Sequence, residues 1–381
     1  MLPQKTLKWY SVPMDLELLR FRARTLQSLR RFFIDRGYLE LDTPALSADL
    51  IPETCLEVFK TDYTAPRTNG AQTTELYLVP SPEIYIKKII ARHKTDVFQI
   101  SKCYRNAESC GRIHSPEFTM LEYYTMNADY RASMRITEDL FDFLLPPPGK
   151  NAGSDPGEKT DTESAGRPEP KNRSADAFGK DPWEFLRPPF IRLRMDDAFE
   201  RYAGFRLSEC ASAEKLARQA RRLGLAESAA SLFESWPIDD LYELIFVQAV
   251  EPALPQDKPV FLTDYPAFVP CLAKDVPGTE NDKPLWKERW ELYACGIELA
   301  NCYTEETDAE KVRAYFESER RLKEKNALVV HKTDTSYWEL FRSFPPCSGV
   351  AMGADRLIAL LSGRKSIEPV LPFSIIERPS V

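Results

Sequence analysis

The chain has 381 residues, of which 43% are hydrophobic and 29% are charged, a composition typical of a soluble globular protein with a sizeable core. Its 51 basic and 58 acidic side chains give a net charge of -7, which argues against a dominant nucleic-acid surface. The N-terminus lacks a signal-like apolar stretch, and no run of about eighteen apolar residues occurs. We therefore expect a cytoplasmic protein that does not enter a membrane.

The numbers and spacing of the cysteines and histidines argue against several kinds of site. The eight cysteines are scattered without a CxxC pair, so we expect reduced thiols that mostly pack in the core. Only three histidines occur, which disfavours both a zinc site and a nucleophile activated by histidine. The sequence therefore favours a reaction that needs little proton transfer.

The N-terminal part of the chain predicts alternating helices and strands. Apolar residues recur at helical spacing amid arginines from Leu16 to Arg36, and Gly37 supplies a stop. YLELDTP predicts a strand that closes at Pro44, and SPEIYIKKIIAR, residues 81–92, opens like a helix. VFQISKCY and EFTMLEYY, residues 97–104 and 117–124, predict an antiparallel pair joined by a long polar loop.

A composition break follows. Residues 146–182 are rich in Pro, Gly, Ser, Lys and Asp and nearly free of apolar side chains, which predicts a disordered surface insert. We expect the insert to interrupt one domain that spans 1–381, with a largely helical segment at 190–255 inside it. The later elements are strands around 260–268 and 290–305, a charged helix at 309–325, and a final strand and helix in CSGVAMGADRLIALL.

The first stretch that suggests chemistry is YRNAESCGRIHSPEFTMLEYY, residues 104–124. Arg105 lies where a strand gives way to a loop, and a guanidinium there suits a phosphate or a carboxylate. Glu122 and Tyr124 are two residues apart on a strand and therefore share a face. The plainer interpretation is a pair of solvent-facing residues on an edge strand.

The second stretch, ERWELYACGIELANCYTEE, places carboxylates in an otherwise apolar hairpin pattern. A tight turn around Ala294 to Gly296 predicts that Glu291 and Glu298 lie nearly opposite each other, a pair that a magnesium ion would stabilise. Asn301, Tyr303 and Glu305 alternate onto one face, and an amine would satisfy them. Glu298 has the opposite parity, so a bulge or strong twist is needed to bring all of them into one site. The plainer interpretation is a strand with one polar face.

The third stretch is SGVAMGADRLIALL, residues 348–361. Gly353 allows a planar ring or a phosphate to approach the backbone closely. We expect Asp355 to cap the following helix, with Arg356 in the first turn, where a nearby anion would offset the helix dipole. An ordinary turn from strand to helix explains the glycines equally well.

Together these stretches resemble the three sequence motifs of class II aminoacyl-tRNA synthetases: RGYLELDTPAL resembles motif 1, CYRNAESCGRIHSPEFTMLEYY motif 2 and GVAMGADRL motif 3. PSPEIYIKK, HSPEFTMLEYY and GIELANCYTEETD are similar to the lysyl branch, over about residues 16–376 apart from the insert. Motif 1 begins within the first forty residues, so we expect no N-terminal anticodon-binding domain, as in the stand-alone paralogues that lysylate elongation factor P. Ser81 also fits those paralogues, because the synthetases usually have alanine there.

The resemblance implies an α+β fold, an antiparallel sheet flanked by helices, and a homodimer that packs through motif 1. It implies that ATP and Mg²⁺ are used to activate (R)-β-lysine or lysine, with elongation factor P and not tRNA as the acceptor. The implied catalytic residues are Arg105 and Arg356, and the implied magnesium ligands are Glu291 and Glu298. The implied amino-acid site comprises Ser81, Glu83, Glu122, Tyr124, Asn301, Tyr303 and Glu305, and the implied ATP site comprises Arg105, Asn106, Glu108, His114, Ser115, Glu298, Leu299, Gly353 and Arg356.

Motif 2 departs from the family pattern. Arg-Asn-Glu is replaced by Arg105-Asn106-Ala107-Glu108, and the loop up to His114 is one residue longer. We expect Glu108 to move into the role of contacting the adenine amino group, and Ser115 stands where the family often has asparagine. Two other functions stay open at this point, an amide ligase with a small-molecule acceptor and a non-catalytic regulatory paralogue.

Overall fold

The computed structural model describes residues 7–10, 15–66, 72–108, 110–146, 181–225, 232–278 and 284–377. The predicted insert at 146–182 lies outside the described residues except at its two ends, so that its disorder stays a prediction. In the described ranges no helix is both long and apolar enough to cross a membrane.

The described residues form strands and helices with the following bounds. The strands are β1 Leu7–Tyr10, β2 Leu39–Glu40, β3 Leu46–Ser47, β4 Lys60–Ala65, β5 Gln72–Leu78, β6 Val97–Tyr104, β7 Glu117–Met126, β8 Ile191–Arg194, β9 Val260–Pro266, β10 Trp286–Ala294, β11 Ile297–Thr304, β12 Cys347–Gly353 and β13 Ser374–Glu377. The helices are α1 Leu16–Ile34, α2 Glu83–His93, α3 Tyr130–Leu144, α4 Pro182–Phe185, α5 Met195–Ala203, α6 Ala213–Arg222, α7 Ile238–Ile245, α8 Ala309–Asn326 and α9 Ala354–Leu361.

Eight strands form the central sheet in the order β2-β6-β7-β12-β11-β10-β9-β8. The inner pairs are antiparallel, while β2 pairs with β6 and β8 pairs with β9 in parallel at the two edges. The β6–β7 pair predicted from sequence is confirmed. The strand predicted for YLELDTP is confirmed only at Leu39–Glu40; Pro44, which has no N–H group to donate, lies between this strand and a separate short strand, β3.

Helices α1, α3 and α9 cover one face of this sheet and bury a large apolar cluster. Helix α1 begins at Asp15, whose side chain accepts from the backbone N–H of Glu17 and Leu18. Its buried stripe includes Phe33, whose ring stacks on Phe98 of β6 at a centroid distance of 5.0 Å. This face is largely apolar, and the residues that alternate with it along the strands project to the opposite face.

One buried charged network joins helix α1 to motifs 2 and 3 beneath the sheet. Arg22 of α1 donates to Asp355 of α9 at 2.6 Å and to Thr119 Oγ1 of β7 at 2.8 Å. The backbone N–H of Thr119 donates to the other oxygen of Asp355 at 2.7 Å. The expectation that Asp355 caps α9 is therefore wrong. Gly353 occupies the N-cap position, and the Asp355 carboxylate is drawn instead to a buried guanidinium.

Candidate active site

The open face of the sheet carries the polar residues that the sequence predicts to be functional. Strand register aligns them in two neighbouring rows across β6, β7, β12, β11 and β10. One row contains Gln99, Glu122, Ala351, Asn301 and Glu291, and the next contains Val97, Tyr124, Gly349, Tyr303 and Arg289. The residues predicted from three separate stretches of sequence thus meet on one surface.

A bulge in β11 brings Glu298 onto this surface. The β10–β11 hairpin closes through Cys295 and Gly296, which both have positive φ angles, as a two-residue turn requires. Beyond the turn, Tyr293 pairs with Glu298, whereas Leu292 pairs with Ala300, so that Leu299 has no partner on β10. The predicted bulge is confirmed, and it shifts Glu298 to the face of Asn301 and Tyr303.

The prediction that Glu291 and Glu298 lie directly opposite each other is wrong. The turn is centred one residue further along the chain than the sequence analysis assumed, so Tyr293 faces Glu298 and Glu291 faces Asn301. The two carboxylates still lie on the same face and interact. Crowding by protein in the cleft and the charge of Glu291 raise the pKa of Glu298 to about 7, although solvent reaches 41% of its side chain.

At one end of the surface, which we call the amine end, a lysine sits between two predicted carboxylates. Lys87 of α2 is completely buried; its Nζ contacts Glu83 Oε1 one helical turn away and lies 2.7 Å from Glu305 Oε2. Burial lowers the pKa of Lys87, but the charges of Glu305 and Glu83 outweigh this effect and raise it. Burial also raises the pKa of Glu305 to about 7, despite the opposing charge of Lys87.

Glu122 is as deeply buried as Glu305 and more deeply than Glu83. Ser81 Oγ donates to one oxygen at 2.7 Å, and Tyr124 OH donates to the other at 2.8 Å. Burial and the negative charge of Glu83 raise the pKa of Glu122 to about 8. The interpretation of Glu122 and Tyr124 as exposed edge residues is wrong, because β7 lies inside the sheet and both side chains are buried.

The absence of a side chain at Gly349 leaves room for Tyr124 and Glu305 at the amine end. A Cβ atom there would lie 2.7 Å from Glu305 Oε1 and would overlap the ring of Tyr124. Nearby, the Oδ1 atom of Asn301 is buried and accepts no hydrogen bond from any described residue, while its Nδ2 donates to Tyr303 OH at 3.3 Å. A buried acceptor of this kind is satisfied by a ligand that brings an N–H or O–H group.

Arginines dominate the other end of the surface, which we call the phosphate end. Arg105 lies 5.2 Å over the Phe118 ring, and its Nη1 is 3.6 Å from Glu108. Its Nε is buried and donates to no acceptor in the part of the chain that the structure describes. The intervening Ala107 has a φ of 58°, an uncommon conformation for a residue with a side chain. This strained turn absorbs the additional loop residue and returns Glu108 to the neighbourhood of Arg105.

Arg356 is fixed by two carbonyl groups. Its Nε donates to Ile113 O at 3.0 Å, and its Nη1 donates to Glu298 O at 2.8 Å. The guanidinium thus ties the motif 2 loop to β11. Burial lowers the pKa of His114 below its usual range, and the charge of Arg356 lowers it further, so the imidazole is neutral at pH 7.

The residues predicted to bind magnesium have a donor set that fits this ion. Arg289 Nη2 donates to Glu291 Oε1 at 2.6 Å and Tyr293 OH donates to Oε2 at 2.7 Å, which leaves further lone pairs free on both oxygens. Within the described ranges no group of three or more His, Cys, Asp or Glu side chains could hold a metal. A magnesium ion at Glu291 and Glu298 would therefore take its other ligands from phosphate and water, as this ion commonly does.

The sequence matches a family model described as tRNA synthetases class II (D, K and N) over residues 2–377. The chain belongs to this family. A similar protein from Yersinia enterocolitica is 32% identical over 357 residues, 93% of this chain and 94% of the relative, and is named elongation factor P--(R)-beta-lysine ligase. Relatives with the same name from Pectobacterium atrosepticum and Photorhabdus laumondii are each 32% identical over 97% of this chain and 98% of their own length.

Membership of the class II family confirms the predicted fold class, an α+β domain built on a largely antiparallel sheet flanked by helices. Three residues assigned to ATP by resemblance have side chains that are buried or bonded within the protein. Asn106 Nδ2 donates to Val58 O at 3.3 Å and its Oδ1 accepts from Ala107 N at 2.9 Å. The Leu299 side chain is buried in the apolar core, so only its backbone is available to a nucleotide. Ser115 is also buried.

Sequence reasoning missed three charged residues of this class II site. Lys87 follows Glu83 by four residues on a helix, and Arg289 precedes Glu291 by two on a strand, so each shares a face with a predicted residue. Both spacings were visible in the sequence. The third residue, Glu53, lies in a loop without periodicity, and its place in the site comes only from tertiary structure.

Proposed function

We propose that this protein is a cytoplasmic ligase that uses ATP to activate (R)-β-lysine or lysine and transfers it to a lysine side chain of elongation factor P. Two findings support the proposal. The chain belongs to the class II synthetase family, and it extends over 94% to 98% of relatives that bear the name of this activity. The site geometry agrees with the substrates that this name implies.

The observation that best supports this activity is the division of one sheet face into an end rich in carboxylates and an end rich in arginines. Glu83, Glu122 and Glu305 surround the amine end, where ammonium groups would relieve their mutual repulsion. Arg105 and Arg356 lie at the phosphate end. A molecule with two ammonium groups and a carboxylate, bound beside a nucleotide triphosphate, matches this distribution of charge.

In the first step, a carboxylate oxygen of the amino acid attacks the α-phosphorus of ATP, an acyl–phosphate bond forms, and pyrophosphate leaves. The attacking group is already an anion, so alignment and charge neutralisation replace a general base. We assign Arg105, with its unpaired buried Nε, to the carboxylate and the α-phosphate, and Arg356 to the γ-phosphate. Magnesium held by Glu291 and Glu298 would neutralise phosphate charge.

In the second step, a neutral lysine ε-amine of the acceptor attacks the acyl carbon of the adenylate. An amide bond forms, the bond to phosphate breaks, and AMP leaves with the electron pair. The ammonium formed on the attacking nitrogen loses a proton as the amide forms. The phosphate end is the more open part of the site, since Arg105 and Glu108 are 29% and 27% exposed, and it is the side from which an acceptor would approach.

We also propose a homodimer that forms through the motif 1 region. Ile34 at the end of α1, Leu39 of the edge strand β2 and Leu46 of β3 expose 53%, 52% and 41% of their surfaces. Large apolar side chains exposed together in one region are typical of protein interfaces. Sedimentation velocity should give a dimer that the triple substitution of these residues by serine converts to monomer.

Transfer of radiolabel tests the proposed activity directly. Labelled lysine and, separately, labelled (R)-β-lysine would be incubated with ATP, Mg²⁺ and the protein, with purified elongation factor P or bulk tRNA as acceptor. We expect label on the factor and none on tRNA. Label on tRNA alone would overturn the acceptor assignment, and transfer only to a small amine would support a small-molecule amide ligase. Absence of ATP–pyrophosphate exchange with either amino acid would support a non-catalytic paralogue.

A further inference from the structure

One loop beside the active site is held in place by hydrogen bonds to buried charged side chains. Residues 51–58, which we call the clamped loop, connect β3 to β4. The backbone N–H and the hydroxyl of Thr54 both donate to Glu319 Oε2 at 2.8 Å, and Lys323 Nζ donates to the carbonyl of Leu56. Both charged partners lie on α8, one helical turn apart.

These two charged residues of α8 are buried, unlike most charged residues of that helix. Most of its charged residues face solvent, yet Glu319 and Lys323 are only 3% and 4% exposed. Burial of a charged group is costly unless hydrogen bonds compensate it, and here the compensating groups belong to the clamped loop. Tyr315, one turn before Glu319, completes the stripe and interacts with Glu53 and Tyr303 in the cleft. The helix therefore fixes the loop against the site.

The clamped loop is also attached to motif 2. The backbone N–H of Asn106 donates to Glu57 O at 2.9 Å, and the Asn106 side chain donates to Val58 O. The residue after Arg105 is thus bonded to the same loop that α8 holds from the other side. Such a double attachment gives the loop a fixed position relative to the phosphate end.

The residue that this loop presents to the cleft is Glu53. In the described part of the chain its carboxyl makes no hydrogen bond and no ion pair, although it interacts electrostatically with Glu83, Arg105 and Lys87. Burial and the nearby negative charge of Glu83 raise the pKa of Glu53 to about 7. A carboxyl group held in a cleft without a partner lacks the cation that would satisfy it.

The charge of the amine end points to the missing cation. Three carboxyl groups, those of Glu83, Glu122 and Glu305, surround the ammonium group of Lys87 in the described part of the amine end. A diaminocarboxylic acid brings two ammonium groups to these residues, while Arg105 meets its carboxylate. Glu53 belongs to the loop that is bonded to Asn106, the residue after Arg105, and its carboxyl interacts electrostatically with both Glu83 and Arg105.

We propose that Glu53 is a substrate-binding residue that pairs, together with Glu83, with the ammonium group nearest the substrate's carboxylate. The proposal rests on the proposed function, since it takes a diaminocarboxylic acid as substrate. It assigns to the clamped loop the selection of amino acids that carry this second amine. The terminal ammonium remains with Glu305, Tyr124 and Glu122.

The test compares lysine with 6-aminohexanoic acid, which has the same chain but lacks the amine next to the carboxylate. Binding of each compound would be measured by calorimetry for the natural protein and for Glu53→Gln. We expect the variant to bind lysine about 10- to 100-fold more weakly, the usual loss for a charged hydrogen bond, and 6-aminohexanoic acid with unchanged affinity. Equal weakening of both compounds, or of neither, would overturn the proposal.

Kinetic measurements distinguish a role of Glu53 in lysine binding from a role in transfer to the acceptor protein. In ATP–pyrophosphate exchange, Glu53→Gln should raise the KM for lysine with little change in the KM for ATP, and Glu53→Asp should recover part of the loss. Normal exchange combined with slow transfer to the acceptor protein would mean that Glu53 serves the acceptor lysine instead. If the natural protein binds lysine but transfers it to no acceptor, the proposed function fails and this inference stands.

Two further variants control for charge and for loop position. Asp62→Asn removes an exposed carboxylate from β4 and should leave lysine binding unchanged. Glu319→Ala releases Thr54 and should weaken lysine binding without altering the binding of 6-aminohexanoic acid. If Glu319→Ala instead weakens both equally, the loop has a general structural role and the specificity assigned to Glu53 is wrong.

Discussion

The amine end and the phosphate end lie on one sheet face, yet they hold their charges in opposite ways. At the amine end, carboxyl groups outnumber the single buried cation, Lys87, and their pKa values are raised. At the phosphate end each arginine already has protein partners. Arg356 binds two carbonyl groups, and Arg105 lies 3.6 Å from Glu108 and 5.2 Å over the Phe118 ring.

This difference suggests what each end requires from a ligand. The amine end stores unfavourable interactions between carboxylates that cations relieve, so occupancy by an amine should stabilise the protein as well as select the substrate. The phosphate end is preorganised by its protein contacts, so its arginines need little rearrangement when anionic groups arrive. Variants at the amine end should therefore alter amino-acid affinity and stability, whereas variants at the phosphate end should alter the chemical step.

Replacement of Arg105 by alanine is expected to have the largest effect on activity. The guanidinium is the one positioned to neutralise charge at the reacting carboxylate and phosphate, and loss of such a group costs about 100- to 1,000-fold in kcat. ATP–pyrophosphate exchange would measure it, with the free energy of unfolding in urea as the control for an intact fold. A variant with normal exchange would mean that the phosphate end has been assigned wrongly.

Replacement of Lys87 by methionine tests the amine end. The change leaves Glu83 and Glu305 without their shared cation, and loss of one partner from a buried ion pair costs about 3 to 5 kcal/mol. We expect a lower free energy of unfolding in urea and a larger rise in Tm on addition of lysine than in the natural protein. Lys88→Met is the matched control, because Lys88 is 38% exposed and only loosely paired with Asp334. Equal destabilisation by both changes would contradict the buried-cation role.

Much of this architecture was predictable from local patterns, and the parts that were not depend on tertiary contacts. The β6–β7 pair and the need for a bulge near Glu298 follow from alternation along the strands. The register across the hairpin did not follow, because it depends on which two residues form the turn. Asp355 was assigned to a cap on local grounds, while its real partner, Arg22, lies on a helix remote in sequence. The ion pair between Lys87 and Glu305 likewise joins residues remote in sequence, so local patterns could not predict it.

Two glycines on β12 provide a matched pair that separates the ends. A methyl group at Gly349 would collide with Tyr124 and Glu305, whereas one at Gly353 would lie no closer than 3.5 Å to Arg356 Cδ. We expect Gly349→Ala to weaken lysine binding about tenfold or more with ATP binding retained. Gly353→Ala should keep the Tm of the ligand-free protein and weaken ATP instead, since the methyl group would occupy the surface assigned to the nucleotide. Calorimetry with each ligand measures both effects, and identical profiles for the two variants would refute the division into two ends.

The smallest expected effect is the pH dependence of lysine binding. Glu53, Glu305 and Glu122 have pKa values raised to about 7, 7 and 8, so they gain charge as the pH rises from 6 to 8. The ε-ammonium of lysine stays protonated throughout this range. A cationic ligand binds the ionised carboxylates better, so its affinity should increase with pH, by about three- to tenfold, and binding should release protons. In the Glu122→Gln variant, lysine affinity should still increase around pH 7, but the further increase around pH 8 should be lost. ATP binding at the phosphate end is the comparison within the same protein, and an identical rise in ATP affinity would show that the effect does not arise at the amine end.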